Sequence, residues 1–161
     1  NCKKSTRKTG INWVIEPVTL YSFVQELVVK LHLSTTALLT GLIWMVQVVH
    51  YPSFLYIDTK RYMSFQKFHM SKIGLLVGPL MIVELLTGIQ LLYYQSFNAM
   101  YFNLSMLIMM GIWILTAIVF TSIHEKLTHG FNEKLIFDLV NYNWIRTVLW
   151  TARLVIIYIV L

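Results

Sequence analysis

The sequence predicts an all-α integral membrane protein: a four-helix bundle preceded by an N-terminal interfacial amphipathic helix. Three observations carry that prediction. Of the 161 residues, 57% are hydrophobic and only 12% charged, against about 25% charged in an average soluble domain. Mean hydropathy is +0.65. Four segments reach or approach the roughly 20 apolar residues that a helix needs to cross a bilayer. Unpaired strands cannot fill this role, because their backbone groups would stay unsatisfied in lipid.

The chain divides at residue 32 into a basic tail with the interfacial helix (1–32) and the bundle (33–161). The tail, NCKKSTRKTG, carries Lys3, Lys4, Arg7 and Lys8. It leads into no uninterrupted apolar core with a cleavage site, so no secretory signal is expected. Residues 17–29, PVTLYSFVQELVV, begin with a proline suited to a helix start. Leu20, Tyr21, Val24, Leu27 and Val28 share one face at helical spacing. Glu26 and Lys30 interrupt the apolar run, which favours a helix lying on the membrane over a fifth span.

The first span is expected at 33–57, with Gln47 and His50 its strongest polar groups. The second, 73–94, is charged only at Glu84. Its Gly74 and Gly78 form a small-xxx-small pattern that predicts close approach of another helix, and Pro79 a local bend. The third, 101–123, carries no charge. Between the second and third lies the uncharged turn QSFNAM, flanked by Tyr93, Tyr94, Tyr101 and Phe102 as an interfacial belt. The fourth, 142–161, holds Arg146 and Arg153. Trp113 and Trp150 fit a bundle core better than a cofactor platform. The methionines of SMLIMM fit packing, although thioethers could ligate cuprous copper.

Net charge is +6. The basic residues sit near the spans and no nucleic-acid-binding signature occurs, so nucleic acid is excluded as a partner. Lys60, Arg61, Lys67, Lys72, Lys126 and Lys134 all fall at one end of the bundle. The positive-inside rule makes that end cytoplasmic, in what is expected to be a bacterial inner membrane, although the basic tail argues the other way. Membrane lipid is the expected partner, with a membrane complex or homo-oligomer as further options. The single cysteine, Cys2, permits neither an internal disulfide nor a cysteine metal cluster.

This topology brings His50, His69, His124, Asn143 and Arg146 to the loop-bearing end. Gln47 and His50 are spaced to share a face, as are Thr121 and His124. Asn143, Arg146, Trp150 and Arg153 follow steps of three, four and three, one stripe that should face the interior. Glu84 and Arg153 fall at matching depths of roughly 16–18 Å and should pair, with bidentate bonds available to the guanidinium. Arg146 can snorkel to the headgroups.

Two chemistries fit this constellation. In the first, His50, His69 and His124 bind a transition metal (Fe, Cu or Zn) or supply a general base. Asn143 and Arg146 hold an acidic or phenolic oxygen, and Trp150, Glu84 and Arg153 border a cofactor. The protein is then an oxidoreductase acting on an apolar or aromatic substrate at one membrane face. In the second, Arg146, Lys72 and the histidines grip a lipid phosphate, and the protein is a non-catalytic accessory subunit or headgroup binder. Transport through Glu84 and Arg153 ranks third, since four helices leave little room for a pathway. Neither spacing nor composition separates the first two.

The segments GLIWMVQVVHYPSF, FHMSKIGLLVGPLMIVELLTG, HEKLTHGF and NWIRTVLWTAR together resemble a family of small bacterial four-span membrane proteins of unknown function, over roughly 35–161. Asn143 to Thr147, NWIRT, is distantly similar to the start of the last helix in anthrone-oxygenase-like membrane proteins. That resemblance implies four helices and oxygenation of polycyclic phenolic substrates. The span layout is also similar to small haem-binding four-helix membrane oxidases. No pair of histidines at facing mid-helix positions supplies axial ligands, so haem ranks below a lone transition metal.

Overall fold

The computed structural model describes residues 17–94 and 98–161. The basic tail, Cys2 and the first residues of the QSFNAM turn lie outside them. Four helical rods make up the described chain. The first joins α1 (Pro17–Met45) to a π-helical turn at Val46–His50, then to α2 (Tyr51–Ser53) and a 3₁₀ turn at Phe54–Tyr56. The second is α3 (Tyr62–Tyr94). The third joins α4 (Ala99–Leu115), a π-helical turn at Thr116–Phe120 and α5 (Thr121–Leu127), and the fourth is α6 (Glu133–Val160). All four rods are long and apolar enough to cross a membrane, which makes this an integral membrane protein.

The rods overrun the expected spans, and the expected interfacial helix is not a separate element. Residues 17–32 are the opening turns of α1, which runs unbroken across the 32/33 boundary. No glycine or proline interrupts the helix between Pro17 and Gly41. The two charges that suggested a break, Glu26 and Lys30, pair on one exposed face at i,i+4 with 2.6 Å between them. At the loop end the added turns carry Lys67, Lys72 and Lys134 on helices, so the connections shrink to 57–61 and 128–132. In the first, Asp58 accepts from the Lys60 and Arg61 amides. In the second, Gly130 turns the chain at φ +155°, a conformation that side-chain-bearing residues rarely adopt. Asn132 caps α6 by accepting from the Leu135 amide at 3.1 Å. Asn132→Ala is therefore expected to cost about 1 kcal/mol, read as a lowered thermal midpoint in detergent.

The first rod packs against α3 and α6, and α4 packs against α6, while α3 barely touches α4. One apolar core fills the loop-end half around Phe54, Tyr62, Leu127, Ile136 and Leu139, all fully enclosed. A second surrounds Leu91, Phe102 and Met109 at the other end. There the close approach occurs at Gly88, where an added Cβ would lie 2.8 Å from the Met106 sulfur and 3.1 Å from His32. The approach expected at Gly74 and Gly78 is absent: a Cβ at either would meet nothing within 4 Å.

Between the halves sits the expected Glu84–Arg153 pair, both side chains fully buried. Arg153 binds only Oε1 of the carboxylate, not both oxygens; Oε2 has no partner among the described residues. The remaining guanidinium donors reach the Ser105 carbonyl (3.2 Å), Thr36 Oγ1 (3.2 Å), His32 Nε2 (3.2 Å) and the Met109 sulfur (3.6 Å). Because Arg153 only donates, His32 Nε2 accepts and its Nδ1–H donates to Thr87 Oγ1 at 2.8 Å. Thr36 also donates to Glu84 Oε1 at 2.8 Å. All four rods are thus tied at one level.

Candidate functional site at the loop-bearing end

Two π-turns set the site's geometry. In each, an amide bonds the carbonyl five residues back, Tyr51 to Val46 and Thr121 to Thr116. Such a turn holds one more residue than an α-turn, shifts the side-chain register and often marks function. Gln47 and His50 consequently address different neighbours rather than one face. Gln47 accepts from Asn143 of α6 at 2.8 Å and donates to the Val140 carbonyl. His50 meets His69 of α3, with 2.9 Å between Nε2 and Nδ1. Tyr51 takes the inward position, 5% exposed.

His50, His69 and His124, drawn from three rods, do converge. The ring centroids of His69 lie 4.7 Å from His50 and 5.4 Å from His124. Both nitrogens of His124, however, are engaged, as are His50 Nε2 and His69 Nδ1, which bond each other. Gln66 donates to His124 Nδ1 at 2.9 Å, which leaves the proton on Nε2 to donate to the Tyr51 oxygen at 3.1 Å. This corrects the expected metal centre: among the described residues no group of three or more His, Cys, Asp or Glu is arranged to hold a metal ion. The donors form two hydrogen-bonded sets instead, His50 with His69 and Gln66 with His124 and Tyr51.

Asn143 and Arg146, expected to share one oxygen, are separated. Asn143 is fully enclosed and tied to Gln47. Arg146 does not snorkel. It is 8% exposed, its guanidinium carbon lies 4.3 Å from the centre of the Phe120 ring, and it interacts with the Tyr51 hydroxyl. No carboxylate pairs with it among the described residues. Trp150, Glu84 and Arg153, expected to border a cofactor, are enclosed by packing instead. None of them borders the cleft that Arg146 borders.

That cleft, of about 260 Å³, opens where α3 parts from the third rod. Arg146, Tyr51 and His124 form its polar end, and Met70, Met81 and Phe120 wall the rest. Gly74 and Gly78 line it, which accounts for the open space beside them. Filling that space with Gly78→Leu is expected to preserve the fold, since an added Cβ meets nothing within 4 Å and the cleft lies beyond it, and to abolish whatever the cleft binds. A melting curve and a binding isotherm on one sample check both halves.

Sequence reasoning passed over Tyr51 as a site group, and also Gln66 and His32. Two signals were present. Gln66 precedes His69 by three residues on one helix face, and His32, Thr36 and Thr40 recur at steps of four inside an apolar run. Comparison of the chain with protein-family models, curated proteins and solved structures found no match.

Proposed function

We propose that the protein takes a largely apolar, aromatic molecule bearing one acidic oxygen from the bilayer into the Arg146 cleft, and that Arg146 and Tyr51, the latter backed by His124, donate hydrogen bonds to that oxygen and hold it as its anion, its proton released to solvent. The supporting observation is the buried Arg146 guanidinium, which borders an apolar cleft without a carboxylate partner. A charge in that position is costly when uncompensated, and an anionic oxygen compensates it. With His124 donating to the Tyr51 oxygen, the tyrosine O–H is left free to donate to a ligand. His124 stands behind it, backed by Gln66. A phenol suits this set: the ring meets Phe120 and the methionines, and the oxygen meets Arg146 and Tyr51. The distant similarity of NWIRT to anthrone-oxygenase-like proteins points to the same substrate class.

On this reading the site provides the substrate-binding and anion-stabilising half of an oxidoreductase. By the positive-inside rule the basic residues of this end favour the cytoplasmic leaflet for the cleft. Labelling of a cysteine placed at Thr59 from the opposite side of the membrane would refute that orientation. The function is tested by titrating detergent-purified protein with a hydrophobic nitrophenol, whose phenolate absorbs in the visible. Saturable binding that shifts the phenol toward its anion is expected, together with its loss in Gly78→Leu. Non-saturable partitioning, equal in both proteins, would refute the reading. An optical spectrum and elemental analysis of the same sample test the redox half. A stoichiometric redox group supports turnover; a colourless, metal-free sample supports binding alone.

A further inference from the structure

A second cleft, of about 210 Å³, lies beside α3 near the loop-bearing end. Only Ile73 borders both clefts. Its inner wall is His69, 6% exposed, whose Nε2 has no partner among the described residues. His50 adjoins it and holds the other nitrogen of that ring. Lys72 stands at the mouth, exposed, with its ammonium 5.8 Å from the Phe68 ring centre and no carboxylate paired to it among the described residues. Below lie Ile73 and Leu76. The seven steps from His69 to Leu76 span roughly 10 Å along the helix. Lys72 is the last charge before the uncharged run 73–83, so it marks the boundary of the hydrocarbon.

From top to bottom the cleft offers the His69 imidazole, a cation and an apolar slot. A phospholipid presents the complementary groups in the same order. We infer that this cleft holds one anionic phospholipid, its phosphate against Lys72 and His69 and one acyl chain along Ile73 and Leu76. The tautomer is consistent. When His50 Nε2–H donates to His69 Nδ1, the proton of His69 sits on Nε2, which has no partner among the described residues. An anionic headgroup is selected over a zwitterionic one because a choline would set a second cation beside Lys72. Lys60, Arg61 and Lys67 already make this rim basic. The lipid site does not rest on the phenol reading, since it shares neither Arg146, Tyr51 nor His124.

Native mass spectrometry of the full chain in mild detergent tests it, with phosphatidylglycerol, phosphatidylcholine and inorganic phosphate as separate probes. One retained phosphatidylglycerol is expected, weakened about fivefold by Lys72→Ala, the effect of one basic residue at a membrane surface. Leu76→Trp, which fills the acyl slot, should weaken it as well. Both residues are exposed, so neither change should shift the melting curve. Equal retention of the two lipids, or unchanged retention in Lys72→Ala, overturns the proposal. Displacement by millimolar inorganic phosphate overturns it too, because the site would then be an ion site without a chain.

Discussion

Arg153→Met alone should destabilise the bundle by about 3–5 kcal/mol, while Glu84→Leu combined with Arg153→Met should recover most of that loss. The single change strands a carboxylate with no exposure to solvent. Its Oε1 would keep only the Thr36 hydroxyl, and Oε2 has no partner to begin with. The double change removes both charges, and apolar replacements of a buried pair are often neutral or stabilising. What it does not restore are the bonds from Arg153 to His32 and to the Ser105 carbonyl. Unfolding in detergent, followed for wild type, both single variants and the double variant, separates the two contributions. A double variant as damaged as Arg153→Met would show that those outer hydrogen bonds, rather than charge neutralisation, hold the rods together.

Arg146→Met should act with opposite signs on stability and on binding. Without ligand, wild type keeps a buried guanidinium that no carboxylate neutralises. Removing it should leave the melting temperature unchanged or raise it. Hydrogen bonds to a charged group contribute about 1.5–3 kcal/mol, so affinity for the nitrophenol should fall by about ten- to a hundredfold. Ligand should then raise the melting temperature of wild type and not that of the variant. Arg146→Lys should recover little, since a point charge does not reproduce the planar fork that lies over Phe120. A variant that melts far below wild type would instead make Arg146 a structural residue, and would remove the main support for the phenol reading.

The features legible in the sequence are those governed by length and by unbroken α-helical period. Four spans follow from apolar runs. The inward stripe of Asn143, Arg146, Trp150 and Arg153 follows because α6 has no π-turn, and all four are buried. The Glu84–Arg153 pair follows from matching depth. The register of Gln47 and His50 was not legible, because a π-turn leaves no mark on composition. Gly74 and Gly78 carry the signal of helix packing and yet line a cleft, because that motif states only that side chains are missing, not what fills the space. His32 was hidden by a boundary set at the Glu26–Lys30 pair, which the helix accommodates at its surface. The three histidines were correctly gathered, but their use depends on Gln66 and Tyr51, whose hydrogen bonds only the tertiary contacts reveal.

The gap between α3 and the third rod lies between two rods long and apolar enough to cross a membrane, so on the proposed reading its ligand arrives from the lipid. A solute arriving that way is presented at its mole fraction in the membrane, which its oil–water partition coefficient can raise far above the dissolved amount. Apparent dissociation constants should therefore scale with the detergent or lipid volume in the cuvette. Measurements will agree between laboratories only when expressed per mole of amphiphile.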